Sequence, residues 1–200
     1  MDFTERTTLV TGAAGGIGAV VARTLATRGA AVAAADSDAA GLDAVVDKLL
    51  SDGLRATTFA VDVRDSAAVD DMVDRVEGSL GPIDVLVNCT GVLRCAPIVD
   101  LTDEDWTETI AVNTSGPFHV SRAVARRMVP RRAGAIVTVT SNSARVPRAQ
   151  MGAYAASKAA TMMLTKCLGL ELSGHGIRDN RAWLRSCRRH GVGLELGADA

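Results

Sequence analysis

Residues 8–18 read TLVTGAAGGIG, a short apolar run that breaks into a glycine-rich turn. Thr8–Thr11 lacks polar alternation, as a strand covered on both faces should. The glycines then fall as G-x-x-x-G-x-G at Gly12, Gly16 and Gly18, with Gly15 and Ile17 between them. Gly12 permits a sharp turn, Gly16 lets the backbone approach a pyrophosphate, and Gly18 lets a following helix pack closely on the strand. The helix N-terminus offers free N–H groups and a positive dipole end to phosphates. Glycine-rich turns are common, so the pattern gains its meaning from its place between a strand and a helix.

Outward from this turn, apolar runs alternate with amphipathic stretches, the pattern of βαβ units building a parallel sheet. Further strands are expected at Ala31–Ala35, Thr57–Val61, Ile83–Val87 and Ala135–Thr140. Helices are expected at Ile17–Arg28, Ala39–Ser51, Ser66–Ser79, Asp103–Arg127 and Tyr154–Leu172, the fourth opened by a capping box of Thr102 with Asp105. The fold class is α/β: a three-layer, doubly wound parallel sheet of Rossmann type. Residues 1–178 form a dinucleotide-binding and catalytic domain, and no internal repeat or second domain is evident.

Composition narrows the partners. With 48% hydrophobic and 22% charged residues the chain has a globular make-up, and its net charge of -1 gives no reason to expect nucleic acid or an anionic membrane. No apolar run is long enough to span a bilayer, and Met1–Glu5 lacks the features of a signal peptide. A cytoplasmic protein is expected. The four cysteines, Cys89, Cys95, Cys167 and Cys187, lack C-x-x-C spacing and read as reduced thiols of a cytosolic interior. His119, His175 and His190 form no ligand cluster, so no metal is expected.

Asp36 closes the second strand eighteen residues past Gly18, where an acidic residue accepts hydrogen bonds from the adenosine ribose and repels a 2′-phosphate. Neither Ala13 nor Ala14 offers a base for such a phosphate, so the cofactor is expected to be NAD and not NADP. Tyr154 and Lys158 stand four apart on one face of a helix. A lysine charge there favours the phenolate, making the phenol a general base near neutral pH. Ser141, at the end of the preceding strand, can hold the reacting oxygen while Tyr154 takes the proton.

These residues, with Asp62-Val63, Asn88-Cys89-Thr90-Gly91 and Asn113, resemble in order and spacing the motif series of the short-chain dehydrogenase/reductase family over residues 7–178. The resemblance implies that Asp62 and Val63 contact the adenine, Asn88 to Gly91 shape the exit of the central strand, and Asn113 anchors the lysine and a water relay. It also implies a small hydroxyl substrate and, for the intact fold, a homo-oligomer. Cys89 and Thr90 replace the family's usual Asn and Ala with small residues, so altered packing around an intact site is expected. Within the family, Gly91–Arg94, Glu104–Trp106, Gly134–Val139, Pro147-Arg148 and Gly169–Leu172 are similar to the branch that dehydrogenates a cyclic dihydrodiol carboxylate. Arg94 and Arg148, on loops leaving strand ends, are candidates for gripping that carboxylate. Two alternatives stay open: a family member acting on a sugar, steroid or acyl hydroxyl, and an inactive fragment that at most binds nucleotide.

The likeness stops after Arg178. Family members continue with a buried apolar strand and a Pro-Gly loop that closes on the nicotinamide, whereas residues 179–200 read DNRAWLRSCRRHGVGLELGADA. The expectation is a C-terminally truncated sheet with an exposed edge, and a tail over 179–200 that is disordered or loosely docked. Two explanations stay open for this: a shift of reading frame, or a genuine short variant of the family. With cytosine in the free third positions of the codons for Arg181 to Leu184, reading one base later gives Ala-Pro-Gly-Ser.

Overall fold

The computed structural model describes residues 2–184 and 194–196. Its elements run β1 (Thr7–Thr11), α1 (Gly16–Ala26), β2 (Ala31–Asp36), α2 (Ala39–Ser51), β3 (Ala56–Ala60), α3 (Ser66–Leu80) and β4 (Ile83–Asn88). They continue with α4 (Asp103–Ile110), α5 (Gly116–Arg131), β5 (Gly134–Ser141), α6 (Gly152–Ser173), β6 (Ile177–Leu184) and β7 (Leu194–Leu196). The strands form one sheet in the order β3-β2-β1-β4-β5-β6-β7. All neighbours are parallel except β6 and β7. The chain reverses direction across the sheet between β3 and β4, which opens a crevice at the C-terminal ends of β1 and β4, the place where such sheets bind ligands.

Alternation along the strands builds two cores. Leu9, Ala33, Leu86 and Ile136 face a layer with α3 and α5, where Val69, Val73, Val120 and Met128 are buried. Val10, Val32, Ala34 and Val87 face α1 and α2, which contribute Ala22, Leu25, Leu42, Val46 and Leu49. Helices α3 and α4 start at side-chain caps. Asp65 accepts from Ala67 and Ala68 N–H at the head of α3, and Thr102 Oγ1 accepts from Asp105 N–H at 3.0 Å at the head of α4.

Two expectations are corrected here. The stretch Asp103–Arg127, read as one uninterrupted helix, is broken by a π-helical turn at Ala111–Ser115 and extends to Arg131. Its apolar periodicity survives a single wide turn, so sequence pattern did not show the break. The absence of a strand after Arg178 is also overturned, because β6 pairs with β5 from Gly134↔Ile177 to Ser141↔Leu184. The free edge of β5 presents a row of N–H and C=O groups, and a partner strand answers them with backbone that any non-proline residue supplies. The edge of β5 is therefore covered, and β7 covers part of β6 in turn. Ile177 is buried against the α3–α5 core. The rest of the 179–200 tail, including Cys187 and His190, lies outside the described residues.

Candidate active site

The glycine turn lies between β1 and α1 and is held against β2, since Ala13 N–H donates to Ala35 C=O at 3.1 Å. Gly12 has φ +70°, and a Cβ there would meet the backbone of Cys89 and Thr90 at 2.8–2.9 Å. At Gly18 a Cβ would fall 2.0 Å from Gly12 O, so helix and turn touch backbone to backbone. Gly15 and Gly16 face open space. Gly15 caps α1 without any side-chain hydrogen bond, leaving the first-turn N–H groups to a ligand. A cradle of this shape, with glycine where a Cβ would intrude, fits a pyrophosphate.

That turn forms one wall of a cleft of about 820 Å³. Gly12, Gly15, Gly16, Ile17 and Gly18 line it, as do Asp36, Asp62, Val63 and Gly91. Asp36 is fixed by two backbone donors, Ala14 N–H to Oδ2 and Asp38 N–H to Oδ1, both at 3.1 Å. Each oxygen keeps lone pairs for the paired hydroxyls of a ribose. Val63 is locked by the ring of His119, whose Nδ1 lies 2.9 Å from Val63 O. Asn88 does not line the cleft. It is buried, donating to Ser121 Oγ at 2.9 Å and Thr138 Oγ1 at 3.3 Å, and so braces the end of β4.

Beyond Gly91 lie the other candidate residues, Asn113, Lys158, Tyr154 and Ser141. The π-helical turn brings the Asn113 side chain inward, fully buried. Asn113 Oδ1 accepts from Val92 N–H at 2.7 Å, and its Nδ2 donates to Val92 O at 2.9 Å and Ser157 Oγ at 3.0 Å. Thr161 Oγ1 donates to Asn113 O at 2.6 Å, binding the turn to α6. Lys158, on the same helix, is buried with Nζ donating to Val139 O at 3.2 Å and 5.9 Å from the centroid of the Tyr154 ring. A Cβ at Gly91 would stand 3.3 Å from both Asn113 Oδ1 and Lys158 Nζ, so the glycine leaves room for these two buried groups behind the wall of the cleft. Burial holds the lysine at about 8, below its ordinary range, and pushes the neighbouring Cys89 thiol up to about 12. Near neutral pH the lysine is still an ammonium and the cysteine an inert thiol. Tyr154 is half-buried near the start of α6. Ser141 ends β5 as the cap of the turn Asn142–Ala144, its Oγ accepting from Ser143 N–H at 3.2 Å, and α6 packs on that turn.

The two candidate arginines differ. Arg94 is tied to the acids of α4, with Nε 3.0 Å from Glu108 Oε2 and 3.6 Å from Asp105 Oδ1. Arg148 is exposed and touches Asn142 Oδ1 at 3.3 Å. The described cysteines are all free: Cys89 is half-buried, and Cys95 and Cys167 are exposed. They sit on a loop and on a helix face where no packing layer covers them. Sequence reading missed Arg64, Glu108 and His119 around the cleft, and Ser157 and Thr161 behind Asn113. Ser157 and Thr161 share the helical spacing of Tyr154 and Lys158; nothing local marks the others. Among the described residues no group of three His, Cys, Asp or Glu side chains is placed to hold a metal ion, and no helix is long and apolar enough to cross a membrane.

Comparison with known proteins agrees with this geometry. A family model described as short chain dehydrogenase matches residues 6–183. The chain is 54% identical over 171 residues to the 2,3-dihydro-2,3-dihydroxybenzoate dehydrogenase of Bacillus subtilis (strain 168), a match covering 86% of this chain and 66% of that protein. It is 44% identical over 172 residues to the D-threitol dehydrogenase of Mycolicibacterium smegmatis (strain ATCC 700084 / mc(2)155), again covering 86% and 66%. The chain thus spans slightly less than two thirds of the length of these relatives. Among solved structures, NAD+-bound xylitol dehydrogenase is similar with a TM-score of 0.88 and 34% identity, covering 90% of this chain and 70% of that one. With its glycine turn, braced asparagine and buried lysine set in this sheet, the chain belongs to the short-chain dehydrogenase family.

Proposed function

We propose that this fold serves NAD-dependent dehydrogenation of a ring hydroxyl, with 2,3-dihydro-2,3-dihydroxybenzoate as substrate and 2,3-dihydroxybenzoate as product, a step of siderophore biosynthesis. The observation that carries the substrate is the 54% identity to the Bacillus subtilis enzyme of that name, against 44% to the threitol enzyme. The nicotinamide, when bound, supplies the hydride acceptor. Asp36, clamped by two N–H donors, binds the adenosine ribose and excludes a 2′-phosphate. Ser141 holds the substrate oxygen, Tyr154 Oη takes its proton, and the Lys158 ammonium beneath favours the phenolate. Asn113 keeps the π turn, Val92 and α6 in register around them. The ketone first formed tautomerises to a catechol, and the aromatic stability of that product makes the reaction one-way. The exposed Arg148 is the better-placed partner for a substrate carboxylate, because Arg94 is already paired. The intact fold is expected to act in the cytoplasm as a homo-oligomer.

A polyol substrate is the second reading. The occupied Arg94 and the likeness to threitol and xylitol enzymes favour it. A chain that binds nucleotide without turnover is the third. Following absorbance at 340 nm with the dihydrodiol carboxylate, threitol and xylitol separates them. The expected result is NADH formation from the dihydrodiol, with Tyr154→Phe slower by roughly 10²-fold or more. Preferred turnover of a polyol would overturn the substrate, and NADPH bound as tightly as NADH would overturn the cofactor.

A further inference from the structure

Gln150 is exposed, yet its backbone is held at φ +64°, in the left-handed region that a residue with a Cβ rarely adopts. Among the described residues Glu5 and Arg132 are the other non-glycine residues of this kind. Arg132 closes α5, where a left-handed residue is ordinary, and Glu5 lies in the turn before β1. Gln150 stands elsewhere, in the loop that joins Ser141 to α6, four residues ahead of Tyr154. Strain of this kind persists where the surroundings over-determine it, and it gathers at loops that bind ligands.

The conformation has two consequences. Met151 N–H donates to Arg148 C=O at 3.3 Å, closing a turn with Gln150 in third place, where positive φ is usually supplied by glycine or asparagine. Gln150 C=O in turn accepts the Ala96 N–H at 3.0 Å, and Ala96 pairs with Met151 as an isolated parallel bridge. Beside this bond Gly152 opens α6 so close to Ile98 that a Cβ would fall 2.8 Å from Ile98 Cγ1. The segment that receives the loop is itself anchored to α4. Arg94, two residues before Ala96, pairs with Glu108 at 2.9 Å and with Asp105 at 3.6 Å.

We propose that Gln150 is a positioning residue for the substrate, acting through its left-handed backbone and not through its side chain. That backbone latches the loop between Ser141 and Tyr154 to the Arg94 loop, and the latch sets where a substrate carboxylate meets Arg148. Arg148 begins the latched turn and is tethered to Asn142 Oδ1 at 3.3 Å, so a turn that flips carries the guanidinium with it. Arg94, read from the sequence as a carboxylate grip, becomes the anchor of the latch. The proposal rests on the reading of a carboxylate substrate given above.

The test is calorimetric titration of the 200-residue chain, saturated with NADH, with 2,3-dihydroxybenzoate. The variants are Gln150→Gly, Gln150→Asn and Gln150→Val, since glycine and asparagine tolerate positive φ and a β-branched valine does not. Gln150→Gly and Gln150→Asn should bind within about twofold of the unaltered chain, as surface changes do. Gln150→Val should bind about tenfold more weakly, the scale of one strained backbone residue. NADH affinity should stay within about twofold in all three, because its cradle lies on the turn between β1 and α1. A merely structural turn would lower the melting temperature of Gln150→Val and leave its product affinity alone, which would overturn the proposal. So would a loss in Gln150→Gly or Gln150→Asn as large as that in Gln150→Val, or NADH weakened in step with the product. If the unaltered chain binds 2,3-dihydroxybenzoate no better than catechol, the carboxylate reading itself fails and this proposal with it.

Discussion

Lys158 carries a charge where the fold offers little solvent, and this links its protonation to stability. Its pKa of about 8 in the folded chain lies below the ordinary 10.5 because burial disfavours the ammonium. Below pH 8 both folded and unfolded chains hold the proton, and the full cost of the buried charge is present. Between about pH 8 and 10.5 the folded chain has released a proton that the unfolded chain keeps, so stability rises with pH, by at most ~1.4 kcal/mol per unit for one site. Cys89 acts oppositely, but only above its ordinary 9.0, where the unfolded thiol ionises and the folded one, at about 12, does not. Urea midpoints at pH 7 and pH 9 should therefore rise in the native sequence relative to Lys158→Met. Parallel midpoints in the two chains would show that the lysine is not buried as described. Its spacing to Tyr154 was legible in the sequence and singled the lysine out. Its burial beneath Gly91 was not, because that depends on β5 and the π turn arriving from distant parts of the chain.

At the scale of an element, the glycine turn separates two jobs that its sequence runs together. Gly18 is a packing residue, with Gly12 O where its Cβ would be. Gly15 has an extended φ of -171° and no atom within 4 Å of a Cβ, so the space beside it is the cleft. Gly18→Ala should cost ~1–3 kcal/mol or more, as overpacking against backbone does. Gly15→Ala should change stability by less than ~0.5 kcal/mol, yet weaken NADH binding by filling the phosphate cradle. Thermal melts and fluorescence titration of the two variants check this, and equal melting losses would contradict it. The helix from Asp103 teaches the complementary lesson. Apolar spacing announced a helix there, and only the packed structure revealed the π turn that turns Asn113 inward.

Across the whole molecule, the two faces of the sheet are covered unequally among the described residues. On the face of α3 and α5, Leu86 and Ile136 have no exposure. On the face of α1 and α2, their neighbours Val85 and Val137 are only half-buried, since those helices lie over the β1–β3 half. Ile136→Ala should therefore cost ~2–5 kcal/mol. Val137→Thr should cost less than ~1 kcal/mol, because water already reaches that face. Chemical denaturation of both variants decides the point; a Val137→Thr loss as large as that of Ile136→Ala would mean the face is covered after all.

What the sequence by itself determined is the local and the periodic. Strand and helix order, the glycine turn, Asp36 at the end of β2 and the Tyr154–Lys158 spacing all depend on residues near one another in the chain. They therefore leave marks in composition and period. The tertiary structure alone decided what depends on residues far apart. It paired β6 with the open edge of β5 despite a tail without an apolar strand pattern, because strand pairing is made by backbone and needs a neighbouring edge more than particular side chains. It tied Arg94 to Glu108 and drew His119 onto Val63, contacts spanning 14 and 56 residues that no window of sequence contains. Even the Arg64–Asp62 ion pair, two residues apart in the chain, lies in the wall of the cleft only because folding places it there.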